Sequence, residues 1–203
     1  MMKKYKSLLF LVILSLTFGS ILGLIHISTE KQIAINEHFE LQKSLLYAIN
    51  IQTEELSKEE VYETFNIYLK EERLRGIRYY TYIDNNLLLG YCFPFSGQGL
   101  WGKVSGYIAV DASGEEILGL VFTENEETPG LGARIDDLWF KEQFRGLDIS
   151  SNSNYVSFDI SNESGLSTIS GATLTVDSIK ETLNKTIDEL KLILKEDFDE
   201  TSN

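Results

Sequence analysis

The chain has 203 residues, of which 24% are charged and 11% aromatic, with only two prolines. This is the composition of a folded protein with one domain of ordinary size, and it excludes a disordered chain or two full catalytic domains. The formal net charge is −13, and because segment 1–28 holds three lysines and no acid, the remainder carries 15 basic against 31 acidic residues. A domain this acidic repels nucleic acid and anionic lipid surfaces, and we therefore expect no nucleic-acid partner.

An apolar segment near the N-terminus predicts a membrane-spanning helix. Residues 8–27 carry no formal charge and follow three lysines. At a rise of about 1.5 Å per residue they span roughly 30 Å, the thickness of the hydrocarbon core of a bilayer. Lysines on the N-terminal flank keep that end in the cytoplasm. We therefore predict a cytoplasmic N-terminus over 1–7, a transmembrane helix over 8–28 in the inner (cytoplasmic) membrane, and an extracytoplasmic remainder.

A cleaved signal peptide is the alternative interpretation of this segment. Signal peptides have an apolar stretch of about 7–15 residues and a cleavage site of the Ala-x-Ala kind. The stretch found here is longer, and nothing like Ala-x-Ala follows it. The uncleaved anchor is therefore the favoured interpretation.

The segment after the anchor has helical patterns. Apolar residues recur close to helical spacing from Glu30 to Asn50, which predicts a stalk helix continuing from the membrane. Ser57, with Glu60 three residues later, reads as a capping box and predicts a second helix over 58–72. We assign residues 29–75 to a helical stalk and packing region.

The middle of the chain is rich in strand patterns. The turn-forming residues Asp84-Asn85-Asn86 separate two β-rich runs, which predicts a hairpin. Cys92, the single cysteine, lies in the second run, where we expect a buried and inert thiol. Strands are predicted, in chain order, for Gly76–Ile83, Leu87–Phe95, Val104–Val110, Glu116–Phe122 and Tyr155–Ile160.

The last regular element is a helix of about twenty residues that packs onto the sheet. Its apolar stripe recurs at intervals of three and four residues and consists of Val176, Ile179, Leu183, Ile187, Leu190 and Leu194. The predicted fold class is therefore α+β. An N-terminal transmembrane helix is followed by one extracytoplasmic domain over residues 76–203, with a central, mainly antiparallel sheet flanked by helices.

Three short segments combine glycines with small residues: Gly97-Gln-Gly-Leu-Trp-Gly102, Glu127-Thr-Pro-Gly-Leu-Gly132 and Ser170-Gly-Ala-Thr-Leu-Thr175. The third directly precedes the last helix, where free N–H groups and the helix dipole favour a phosphate. From the residues alone, an N-cap at Thr173 or Thr175 is the favoured explanation of the same segment. The second segment alone fits a tight loop that presents Leu131 outward, and Trp101 fits either a core residue or an aromatic wall for a planar ligand.

Together the three segments resemble the FMN-binding domain shared by the C subunit of the Na+-translocating NADH:quinone reductase and the G subunit of the Rnf complex. The sequences Glu-Thr-Pro-Gly-Leu-Gly and Ser-Gly-Ala-Thr stand in the family's order, with a helix after the second. The resemblance implies that residues 76–203 form the FMN-binding domain and that a flavin transferase joins the FMN phosphate to Thr173 as a phosphoester. It also implies cofactor-binding roles for Ser170, Gly171, Ala172, Thr175, Glu127, Thr128, Leu131, Gly132 and Trp101.

The function implied by the resemblance is that of an electron-carrier subunit in a membrane respiratory complex, with other membrane subunits as partners, no metal and no catalytic residue of its own. Residues 99–106 are more similar to the quinone-reductase protein than to its Rnf counterpart. The family has an acidic residue six positions before the acceptor threonine, whereas Ser167 stands here, a departure that would slow attachment or leave the flavin without a covalent bond. The alternatives are an Rnf-type ferredoxin:NAD oxidoreductase subunit, a free-standing extracytoplasmic FMN electron-transfer protein, and a non-redox anchored binding module.

Overall fold

A computed structural model of the chain describes residues 2–151, 155–158 and 165–201. The chain divides into two compact units, Met1–Glu40 and Leu41–Asn203. The helices are α1 (Met2–Ala48), α2 (Lys58–Tyr68), α3 (Leu138–Lys141) and α4 (Thr173–Thr201), with short 3-10 turns at Gly132–Asp136 and Glu142–Phe144. The strands are β1 (Leu69–Leu74), β2 (Ile77–Asp84), β3 (Leu87–Gln98), β4 (Lys103–Asp111), β5 (Glu116–Asn125) and β6 (Leu147–Asp148).

The first unit is the N-terminal part of α1. By length and composition this helix is apolar enough to cross a membrane, and its apolar side chains between residues 8 and 27 are exposed. The predicted stalk helix is confirmed as an uninterrupted continuation of α1, which ends at Ala48. Asn50 then takes a positive φ of 65°, and the N–H of Ile51 donates to the carbonyl of Leu46, a common way for a helix to end.

The second unit is built on a sheet of six strands in the order β1-β2-β3-β4-β5-β6. All neighbouring strands are antiparallel, so the predicted α+β fold with an antiparallel sheet is confirmed. Asn85 and Asn86 both have positive φ, as the two central residues of a type I′ hairpin turn require. The turn predicted from Asp84-Asn85-Asn86 therefore joins β2 to β3 as expected.

The helix predicted over 58–72 is wrong in its last four residues. The capping box of Ser57 and Glu60 is present, but α2 ends at Tyr68, and Leu69 begins strand β1, which pairs with β2 along its whole length. The residues of β1 favour a helix, but their pairing with β2 makes them a strand, because tertiary context outweighs local propensity. The sheet therefore starts at Leu69, and the domain boundary drawn after residue 75 falls within the β1–β2 hairpin.

The strand predicted for Tyr155–Ile160 is wrong over residues 155–158, which belong to no strand, and residues 159–160 lie outside the described part of the chain. The backbone of Val156 pairs with a side chain instead. Its N–H donates to Asn184 Oδ1 and its carbonyl accepts from Asn184 Nδ2, each at 3.0 Å. The Tyr155 hydroxyl donates to Asp188 at 2.9 Å. Because α4 satisfies these backbone groups, no neighbouring strand is needed.

Helix α4 packs on one face of the sheet and forms the main core with it. All six residues of its predicted apolar stripe are buried in one cluster with the inward-facing side chains of the strands, which confirms the predicted helix and its orientation. Two close contacts join α4 to the end of β3. A Cβ on Gly97 of β3 would lie 2.1 Å from Thr182 Oγ1, and the Ser178 hydroxyl donates to the carbonyl of Gln98.

The opposite face of the sheet is covered by α2 and by the last turn of α1. The ring of Phe65 in α2 lies edge-on to Tyr80 of β2 at 5.7 Å. A Cβ on Gly119 of β5 would lie 2.3 Å from the carbonyl oxygen of Ala48, so only a glycine permits this approach. Cys92 is fully buried here, as predicted, and burial raises the pKa of its thiol to about 12.

Candidate functional site

The start of α4 is an uncapped helix terminus. The carbonyl of Ala172 accepts the first helical hydrogen bond, from the N–H of Val176 at 3.0 Å, so Ala172 occupies the N-cap position and Thr173 is the first helical residue. The interpretation of Thr173 or Thr175 as the N-cap is therefore wrong. An alanine has no side-chain acceptor for the N–H groups of the first turn. Among the described residues no side chain caps them, so they are available to an anion.

Thr173 itself is accessible. Its side chain is exposed, as is that of Ser170, while Ala172 between them is buried. Gly171 takes a positive φ of 80°, which turns the chain into the helix in a conformation that favours glycine. The hydroxyl of Thr173 is thus presented at the surface beside the free N–H groups of the helix start.

The Glu127–Gly132 segment forms a tight turn beside the start of α4. The N–H groups of Leu131 and Ala133 both donate to the carbonyl of Thr128, at 3.2 and 3.1 Å. The turn leaves 46% of the Leu131 side chain exposed, as predicted. A Cβ on Gly171 would lie only 3.2 Å from Leu131 Cδ2, so this turn and the Ser170–Thr175 segment are in contact.

One buried carboxylate connects all three glycine-containing segments. Glu127 is 5% exposed; its Oε1 accepts the main-chain N–H of Trp101 at 3.0 Å, and its Oε2 accepts the hydroxyl of Thr175 at 2.8 Å. Cβ atoms on Gly99 and Gly132 would lie 2.2 and 2.5 Å from the two carboxylate oxygens. These two glycines therefore provide the space that the carboxylate occupies.

Exposed apolar side chains surround this junction. Trp101 is 72% exposed, so its interpretation as a core residue is wrong. Leu100 and Leu174 are also exposed, although Leu174 was not among the residues predicted for the site. The signal for Leu174 was present in the sequence, because it lies outside the apolar stripe of α4 and next to Thr173, where an exposed leucine has no packing role.

Ser167, which replaces the family's acidic residue, is held through its backbone. Its N–H donates to Gln143 Oε1 at 2.6 Å, and its carbonyl accepts from Gln143 Nε2 at 3.4 Å. The side chain of Ser167 is exposed. Across the described residues, no group of three or more His, Cys, Asp or Glu side chains is arranged to hold a metal ion.

Comparison with known proteins finds similarity over the same residues. Residues 99–188 match the family described as "FMN-binding domain". The C subunit of the Na(+)-translocating NADH-quinone reductase of Chlamydia pneumoniae is 36% identical over 120 residues, which cover 48% of this chain and 38% of that protein. The corresponding protein of Pasteurella multocida is 33% identical over 92 residues, covering 42% and 35%. The chain spans a little more than a third of the length of these curated relatives.

Two solved structures share the fold. The C subunit of the Na(+)-translocating NADH-quinone reductase from Parabacteroides distasonis has a TM-score of 0.65 at 25% identity, over 81% of this chain and 96% of that one. NqrC from Shewanella oneidensis has a TM-score of 0.63 at 18% identity, over 77% and 99%. The resemblance to the FMN-binding domain found in the sequence is thereby confirmed, and the matched range 99–188 contains every residue predicted for the site.

Proposed function

We propose that this chain is the FMN-carrying electron-transfer subunit of a Na+-translocating NADH:quinone reductase, with FMN joined through its phosphate to Thr173. The observation that carries the proposal is the uncapped start of α4, where an exposed threonine hydroxyl stands beside free N–H groups within the range that matches the FMN-binding domain. When bound, FMN supplies the redox chemistry. The protein binds and orients it.

The residues present suit an esterified FMN. The Thr173 hydroxyl would provide the ester oxygen, and the first-turn N–H groups with the positive end of the α4 dipole would stabilise the phosphate charge. Trp101, Leu131 and Leu174 offer apolar surface for the flavin ring within the same neighbourhood. No acid, base or nucleophile of the chain needs to act on a substrate, so we expect no catalysis by this protein alone.

The proposed location is the inner membrane, with α1 as a single anchor, the N-terminus in the cytoplasm and the Leu41–Asn203 unit outside. Electrons would then reach the domain through partner subunits in the membrane, and a flavin transferase would be needed for maturation. An Rnf-type complex and a free-standing flavoprotein would use the same site. The similarity to quinone-reductase proteins in sequence and in structure favours a subunit of the quinone reductase over these two alternatives.

The attachment is tested by the intact mass of the full-length chain co-expressed with a flavin transferase. We expect the mass of one esterified FMN on the unmodified chain and on Thr168→Val, which removes another exposed threonine hydroxyl five residues away, and none on Thr173→Val, which keeps the size of the side chain. Loss of the added mass from Thr168→Val alone, or its presence on Thr173→Val, would refute Thr173 as the acceptor. A colourless unmodified chain would refute the proposal that this protein carries a flavin.

The orientation is tested by labelling cells with a membrane-impermeant maleimide. Cys92 is buried, so the unmodified chain should remain unlabelled, whereas Glu59→Cys places a thiol at an exposed position of α2. We expect labelling of Glu59→Cys in cells whose cytoplasmic membrane is intact. Labelling only after that membrane is permeabilised would place the domain in the cytoplasm.

A further inference from the structure

We propose that Glu127 is a positioning residue, whose buried carboxylate holds the Trp101 segment and the start of α4 in one fixed arrangement around the flavin. The resemblance alone implied a cofactor-binding role for Glu127. Its carboxylate points instead into the protein, where 5% of the residue is exposed. The inference rests on the proposed function for the identity of the ligand, but the coupling it describes belongs to the protein alone.

The two contacts of the carboxylate come from two segments that are distant in the sequence. Oε1 binds the N–H of Trp101 in the β3–β4 loop, and Oε2 binds the hydroxyl of Thr175 in the first turn of α4. Trp101 and Thr173 are therefore each within two residues of an atom that Glu127 holds. Since Thr175 is 1% exposed, its hydroxyl has no access to water as an alternative partner.

The charge of Glu127 is balanced by neutral donors and by a helix. Within the described part of the chain, Glu127 forms no salt bridge, and its own N–H donates to the side chain of Asn125 at 3.2 Å. Asn125 in turn donates to the carbonyl of Ala133 at 3.1 Å, which fixes both ends of the turn. The carboxylate lies at the positive end of the α4 dipole, which stabilises a negative charge there.

Both oxygens of the Glu127 carboxylate lie close against glycine backbone. The carboxylate fills the spaces in front of Gly99 and Gly132, where a Cβ would lie within 2.5 Å of an oxygen. A charged hydrogen bond in such a closed space is stronger than one between neutral groups and fixes the direction of both partners. Movement of the Trp101 loop should therefore depend on whether Thr175 donates its hydrogen bond to Glu127, although Trp101 and Thr175 are 74 positions apart in the sequence.

The test uses the full-length chain in detergent, without flavin, and measures hydrogen–deuterium exchange over residues 97–102. Thr175→Val removes the hydroxyl and keeps the shape, so the Glu127 carboxylate loses one of its two donors; exchange in this segment should become about tenfold faster. Thr175→Ser should restore the slow exchange. Thr186→Val is the matched control, because the Thr186 hydroxyl donates to a carbonyl of its own helix, at 2.9 Å.

Glu127→Gln provides a second variant in case valine at 175 disturbs folding. The amide oxygen can still accept from the Trp101 N–H, and the amide NH2 can donate to the Thr175 oxygen in place of the present bond. Because the charge is lost, exchange in this variant should lie between those of the unmodified chain and Thr175→Val. Unchanged exchange over 97–102 in Thr175→Val, or equal acceleration in Thr186→Val, would overturn the coupling.

The positioning of the flavin is read from its visible circular dichroism after loading. Thr175→Val should still gain the mass of one FMN at Thr173 but show a changed dichroic spectrum, and Thr175→Ser should show that of the unmodified chain. Identical spectra for the loaded valine variant and the unmodified chain would overturn the positioning role. If no variant gains the mass of FMN, the proposed function fails, and the exchange measurement still decides whether Glu127 couples the segments.

Discussion

Arg145 connects the last turn of α1 to the sheet, and its replacement by methionine tests how the domain is held together on that side. Its guanidinium donates to the carbonyl of Leu118 in β5 and to the carbonyls of Tyr47 and Ala48 at 3.3 and 3.5 Å. It also forms a two-bond pair with Glu142, at 3.0 and 3.2 Å. The methylene groups of methionine would keep the packing of the stem and remove all of these bonds.

The expected loss has two parts of different size. Hydrogen bonds from a charged donor contribute about 1.5–3 kcal/mol, and the carbonyls left behind are partly buried. The Arg145–Glu142 pair is less important, since 22% and 40% of the two side chains are exposed, and ion pairs of this kind contribute about 0.2–1 kcal/mol. Arg145→Met should therefore lower the free energy of unfolding by about 2–4 kcal/mol, and Glu142→Gln by less than about 1 kcal/mol.

The assay is guanidinium unfolding of the full-length chain in detergent, followed by near-ultraviolet circular dichroism of the clustered tyrosines and phenylalanines. Arg145→Lys is the intermediate variant, because it keeps the charge but not the forked geometry that reaches three carbonyls. Equal losses for Arg145→Met and Glu142→Gln would show that the ion pair, not the carbonyl contacts, holds the end of α1. A loss below about 1 kcal/mol for Arg145→Met would refute the reasoning.

The hydrogen bonds from Arg145, above all, lower the pKa of Glu142 from its ordinary 4.5. The contribution of Glu142 to stability is therefore complete at a pH above 4.5 and is lost as the pH falls through the pKa of the folded state. The difference in the free energy of unfolding between the unmodified chain and Glu142→Gln should accordingly shrink in acid titrations. Leu183→Ala, at a fully buried position, should cost about 2–5 kcal/mol in the same unfolding assay, whereas Leu192→Ala, 64% exposed on the same helix, should change stability by less than about 0.5 kcal/mol. Because burial raises the pKa of the Cys92 thiol to about 12, iodoacetamide should leave the folded chain unmodified at neutral pH and alkylate it once unfolded; rapid alkylation of the folded chain would contradict the burial.

The elements that the sequence predicted correctly are those whose local signals agree with their packing. The Asn85-Asn86 pair adopts the positive φ values of its turn, and the stripe from Val176 to Leu194 faces the core. In β1 the local signal conflicts with the fold. The Lys, Glu and Arg residues of Leu69–Leu74 favour a helix, but they suit an exposed edge strand, where charges also discourage pairing with another chain.

The residues proposed for the site could be named from the sequence, whereas the contacts in its interior could not. Family motifs identified Thr173 and Leu131, and both are exposed where a ligand could reach them. No pattern in the sequence shows that the Glu127 side chain turns inward or that Thr175 meets it, because a contact across 48 positions depends on how α4 docks. The same limit applies to Asn184, which replaces a strand partner for Val156.

The chain order of these elements has a consequence for biosynthesis. Among the described residues each strand pairs with a neighbour in sequence and all six strands precede α4, so the hairpins from β1 to β5 can close before α4 is made. Thr173, the proposed acceptor, opens α4 and is therefore synthesised after the whole described sheet. If it carries FMN, the cofactor joins a chain whose described strands have already been made, and a product truncated before α4 keeps those strands but lacks the proposed attachment residue.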